Sequence, residues 1–143
     1  MKLKDLFENF SRPNNSTPLP GESSGSPATY KNGVKPIIRM MSASQIIKEV
    51  KDVPYYNNVV DDYDNNDTSW PVTTKVLEYA HYLKANPLSI KNLPPIIVVD
   101  GRLQDGAHRI SAVWLLGQRL DPKNPLWQHN ILKVEFVNKT DIH

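Results

Sequence analysis

The run from Pro94 to Gly117 constrains this chain more than any other segment. Pro94-Pro95 opens Ile96-Ile97-Val98-Val99, β-branched throughout and short, which predicts a buried strand. Asp100-Gly101 suits a tight turn into Arg102-Leu103-Gln104, the expected hairpin partner. Asp105-Gly106 then breaks the strand. Ala107 to Leu116 is apolar nearly all round, which predicts an interior helix with Gly117 as its C-terminal cap. A buried strand and a buried helix so close together must cover each other, and that points to a small α/β (α+β) domain with helices packed on a mixed sheet.

The rest of the chain fits one such domain. Its 143 residues exclude two large domains. The absence of cysteine removes disulfide scaffolds, thiolate metal sites and thiol catalysis, and is what a reducing, cytoplasmic compartment permits. No apolar run approaches the roughly 18 residues of a membrane span, and residues 1–10 alternate charge with apolar groups instead of forming a signal-peptide core. The formal charge of +2 is too near balance to favour nucleic acid as a partner by bulk electrostatics.

Leu3, Leu6, Phe7 and Phe10 fall on one face of a short amphipathic helix over residues 1–10. Residues 11–33 form a Pro/Ser/Gly-rich linker with little apolar surface to set against the entropy of ordering. Such a tethered helix either docks on a protein partner or folds back on its own domain. The compact part is expected over 34–143. It starts with an edge strand over 34–41, since Pro36 is excluded from a central one, and continues with a helix to Val50 capped by Ser42 or Ser44. Residues 51–70, rich in Asn and Asp, read as a solvated acidic loop. Pro71 opens a helix with Thr68 or Ser69 near its start, and Val72, Val76, Tyr79, Ala80 and Leu83 trace its apolar face until Asn86-Pro87 ends it. Residues 131–137 alternate as a half-exposed strand.

Chemistry concentrates where the helix that follows Gly106 begins. The first amides of a helix lack internal partners and lie at the positive end of its dipole, which favours an anion. Gly106 leaves the backbone open to a ligand, Arg109 offers forked donors to phosphate oxygens, and His108 can donate a hydrogen bond or move a proton. Asp105 and Asp100 are candidates for holding Mg2+ or for orienting His108 and Arg109. A plainer reading of the same residues has Asp105 capping the helix, Gly106 allowing the turn and Arg109 paired with Asp105 or Asp100 on the surface.

The stretch Leu93-Pro94-Pro95-Ile96-Ile97-Val98-Val99-Asp100-Gly101-Arg102-Leu103-Gln104-Asp105-Gly106-Ala107-His108-Arg109-Ile110-Ser111-Ala112 resembles the ParB/sulfiredoxin-like superfamily, and the likeness extends over about residues 71–117. It implies that the phosphates of a nucleoside triphosphate of the ATP or CTP type lie on Gly106, Ala107, His108 and Arg109. Lys75, on the preceding helix, occupies a place similar to that of a lysine which approaches the nucleotide in sulfiredoxin. The alternative for Lys75 is an ordinary solvated residue.

Departures from the family narrow the reading. Ala107 stands where sulfiredoxin has its nucleophilic cysteine, which excludes sulfinic acid reduction. The short stretch from Asp121 to His143 has no room for the DNA reader and dimerisation domain of partition proteins. The expectation is therefore a nucleotide-binding protein that hydrolyses or transfers a phosphoryl group, with His108 and Asp105 as catalytic candidates. The alternatives are a ParB-like nuclease or DNA-binding protein, and a non-enzymatic phage or mobile-element adaptor that binds a host protein through residues 1–10.

Overall fold

A computed structural model describes residues 30–142; the amphipathic segment 1–10 and most of the linker lie outside this range. Strand β1 (Ile37–Met41) follows directly on Pro36. Helix α1 (Ala43–Glu49) starts at Ser42, whose Oγ accepts a hydrogen bond from the Gln45 amide at 3.1 Å, so Ser42 rather than Ser44 is the cap. Helix α2 (Tyr56–Asp64) comes next, then α3 (Pro71–Ala85) and a 3-10 turn (Pro87–Asn92). Strands β2 (Ile96–Val99) and β3 (Arg102–Asp105) lead into α4 (Ala107–Leu115). A π-helical turn (Leu116–Leu120) and a 3-10 turn (Pro125–Gln128) precede β4 (Leu132–Val137).

The four strands lie in the order β1-β4-β2-β3. β4 runs antiparallel to β1 and parallel to β2, while β2 and β3 form an antiparallel hairpin. β1 is therefore an edge, as Pro36 requires. At the hairpin tip Asp100 and Gly101 both have positive φ, +50° and +79°, the geometry of a turn whose twist matches that of its flanking strands. The helices cover one face of the sheet. Their apolar sides join Met41, Ile96, Val98, Leu132 and Val134 in one core, with α4 at its centre against α1, α2 and α3. The result is the mixed α/β layer expected from the sequence.

Four local expectations change. Residues 51–70 are not a plain loop, because Tyr56, Val59, Val60 and Tyr63 recur at helical spacing and α2 buries Val59, Val60 and Tyr63. Its acids have partners: Asp64 takes both nitrogens of the Arg119 fork at 2.8 and 3.0 Å, and Asp62 accepts from the buried Thr73 hydroxyl. Trp70, not Thr68 or Ser69, stands at the N-cap of α3, and Ser69 turns back to Asp67. Gly117 does not cap α4, since it lacks a positive φ and lies inside the π-helical turn. The chain is also tied down before Val34: Tyr30 bridges Ile142, and the Lys31 amide donates to the Asp141 carbonyl.

Candidate functional site

α4 begins at Gly106, which has a φ of +114° and cannot cap the helix with a side chain. The intrahelical ladder starts with the Ile110 amide donating to the Gly106 carbonyl at 3.0 Å. The amides of Ala107, His108 and Arg109 thus precede the ladder at the positive end of a nine-residue helix. Glycine is needed at 106 for a reason the sequence did not reveal. A Cβ there would stand 2.7 Å from Cγ1 of Ile96, in β2, so the missing side chain makes room for a core strand and not for a ligand.

His108 sits in the first turn of α4, partly buried, with the Tyr55 ring 5.5 Å away between centroids. Tyr55 also meets Trp70 edge-on at 5.4 Å, and it holds a φ of +78° at the start of α2. Burial lowers the proton affinity of the imidazole; the positive charges of Lys75 and Arg109 lower it further, against a smaller opposing pull from Asp105. His108 is therefore neutral at pH 7, able both to donate and to accept a hydrogen bond. Lys75, exposed on α3, acts on the same point from another helix.

Arg109 is placed differently from the sequence expectation. Its side chain is only 1% exposed; Nη2 donates to the Pro95 carbonyl at 3.1 Å and stands 3.6 Å from the Asp105 carboxylate. Its Nε is buried with no hydrogen-bond partner among the described residues. The guanidinium thus lies beneath the helix start as a buried positive charge, and its partner Asp105, one of the two carboxylates of the plainer reading, is itself 38% exposed.

The two carboxylates considered for a metal do not meet. Asp105 closes β3 next to α4, whereas Asp100 stands at the far end of the hairpin, where its Oδ1 accepts from the Lys139 amide. Among the described residues no three His, Cys, Asp or Glu side chains gather as a ligand set. The structure therefore places Asp105, Ala107 and His108 together at the start of α4, sets Lys75 near enough for its charge to act on His108, buries Arg109 beneath them beside Gly106, and leaves Asp100 outside. Tyr55 joins them through His108, and Trp70 through Tyr55; the helical spacing of Tyr56, Val59, Val60 and Tyr63 was the signal that Tyr55 leads an ordered element.

Among the described residues no helix is long and apolar enough to cross a membrane. Comparisons with protein-family models, with curated proteins and with solved structures found no match for this chain.

Proposed function

We propose that this chain is a ParB/sulfiredoxin-like protein that binds the phosphates of a nucleoside triphosphate at the start of α4. The observation that carries the reading is convergence. Lys75 on α3 acts by its charge on His108 of α4, beside three helix-start amides that no side chain caps. In this reading the amides of Ala107 and His108 and the ammonium of Lys75 hold phosphate oxygens, while Arg109 contributes charge from below. Mg2+ would arrive with the triphosphate and offset the charge of its phosphates, and Asp105 is the carboxylate beside the helix start that would help hold it. A neutral His108 is suited to take the proton from an attacking hydroxyl or water, which makes hydrolysis or phosphoryl transfer the favoured activity.

Titration calorimetry with ATP, CTP and GTP in the presence of magnesium tests this directly. Lys75→Ala is expected to weaken binding by roughly tenfold, the loss of one charge-assisted contact worth about 1.5 kcal/mol, whereas His108→Ala, which keeps the backbone amide, should lower turnover far more than binding. Phosphate release on the same samples reads the chemistry. A wild-type protein that binds none of the three nucleotides would end the proposal.

A further inference from the structure

Three rings are linked by contact beside the start of α4. The Tyr55 ring lies 5.5 Å from the His108 imidazole, tilted by 46°, and meets Trp70 edge-on at 5.4 Å and 76°. Each comes from the start of a different helix, since Tyr55 precedes α2, Trp70 precedes α3 and His108 lies in the first turn of α4. None of the three is fully buried, and Thr68, Ser69 and Pro71 around Trp70 are exposed, so the indole reaches the surface. Trp127 shows what a structural indole does in this fold: it is 2% exposed, and its Nε1 donates to Asp121 at 2.9 Å. Trp70 makes no such bond among the described residues. A large ring at a surface, with its polar end free, is the form that aromatic side chains take where they bind.

We infer that Trp70, backed by Tyr55, stacks the base of the nucleotide, and that this base is a purine. The inference rests on the phosphate reading above. His108 supplies one of the three uncapped amides of α4, and two ring-to-ring steps of 5.5 and 5.4 Å lead from its imidazole to Trp70, a path no longer than an extended nucleotide. A ligand whose phosphates lie on those amides therefore carries its base within reach of the indole. Stacking uses the face that every base has, and its strength grows with the overlap of the rings, so a two-ring purine gains more from an indole than a pyrimidine does.

The two aromatic walls are in place before any ligand arrives. Pro71 restricts the residue before it to extended backbone, and Trp70 holds a φ of −93° and a ψ of 118°. Tyr55 is fixed by its φ of +78° at the head of a helix that Val59, Val60 and Tyr63 anchor in the core. Rings held in this way lose little freedom when a base lies against them. The competing account is plain packing, since both rings also touch the core. It makes a different prediction. If Trp70 only packs, its loss loosens the fold and weakens every ligand alike, whereas a base subsite weakens only ligands that carry a base.

Calorimetry on the full-length protein with magnesium and either ATP, CTP or inorganic tripolyphosphate separates the two accounts. Trp70→Ala should lower the ratio of ATP affinity to tripolyphosphate affinity by about tenfold, the loss of one stacked base. Trp70→Phe, which keeps a ring, should restore much of that ratio, and Lys75→Ala should weaken both ligands and leave the ratio as it was. Fluorescence of the wild type reads the same contact without any substitution: ATP should quench the indole emission, tripolyphosphate should not, and Trp70→Phe should abolish the quench. An unchanged ratio in Trp70→Ala, equal fluorescence responses to ATP and tripolyphosphate, or CTP bound as tightly as ATP would each overturn the inference while tripolyphosphate binding upholds the phosphate site. Failure of both ATP and tripolyphosphate to bind would strike that site and the inference together.

Discussion

Replacing Gly106 with alanine tests whether that glycine serves the core or the ligand. Two costs add in the Gly106→Ala protein. A φ of +114° belongs to a region that residues with a Cβ rarely occupy, and holding alanine there costs about 1–3 kcal/mol. The new methyl would also stand 2.7 Å from Cγ1 of Ile96 and 3.2 Å from its Cβ and Cγ2. Ile96 cannot yield easily, because it is 1% exposed, β-branched and on a strand bonded on both sides, so overpacking adds about 1–3 kcal/mol. The sum, roughly 2–6 kcal/mol, is a large part of the 5–15 kcal/mol typical of a domain. Urea titration with linear extrapolation reads it as a lower midpoint at unchanged slope. Adding Ile96→Ala should return about 1–2 kcal/mol of coupling by removing Cγ1 and Cγ2, while the backbone cost remains. Stability unchanged within about 0.5 kcal/mol, together with loss of nucleotide binding, would refute the reasoning and make Gly106 a ligand-access residue.

The other predictions concern the charges at the same helix start. Burial and the neighbouring cations hold the folded-state pKa of His108 below its ordinary value, so as the pH falls through about 6.5 the unfolded chain takes up protons first and stability declines. His108→Gln should flatten this decline between pH 7 and 5 in a series of urea midpoints, and nucleotide affinity in the wild type should rise over the same interval as the imidazole gains charge beside phosphate. For Arg109, Arg109→Ala should cost about 2–4 kcal/mol through lost interior packing, and Arg109→Met, which refills most of that volume without a buried charge, distinctly less. Losses below about 0.5 kcal/mol for both would place the guanidinium in solvent.

Much of the architecture was legible because its signals are local. The β-branched run at Ile96, the Asp-Gly hairpin, Pro36 before an edge strand and Pro71 at a helix start each act through their own φ preferences or missing amide. α2 was overlooked because its polar face, with Asn57, Asn58, Asp61 and Asp62, resembles a solvated loop, although Tyr56, Val59, Val60 and Tyr63 carry the helical period beneath it. Gly117 gave the reverse error, since a glycine after an apolar run reads as a cap whether or not the chain turns left-handed there. At the site, the effect of the Lys75 charge on His108 depends on how α3 packs against α4, which no local pattern encodes. The burial of Arg109 was readable in part. It shares a helix face with Ala112 and Val113, and on a helix apolar nearly all round that face turns inward.

The segment that the sequence hid most completely is also the one that sets the state of His108. Tyr55 reaches the imidazole only because the chain takes a left-handed step before α2, and α2 is held in place by Val59, Val60 and Tyr63 in the core and by Asp62 and Asp64 at its partners on α3 and the π-helical turn. Each of those carboxylates bonds to a different element, so α2 is fixed at two points as well as buried. A non-glycine residue at a φ of +78° persists only where its surroundings over-determine it. The ring that results contributes to the burial of His108, and burial is the largest cause of its lowered proton affinity. A solvent-exposed imidazole at a helix start would be partly protonated near neutrality, and an anion would bind it by charge alone. The covered one stays neutral there and remains available to accept a proton, so the acidic segment bears on the chemistry of the site through packing and not through its own charge.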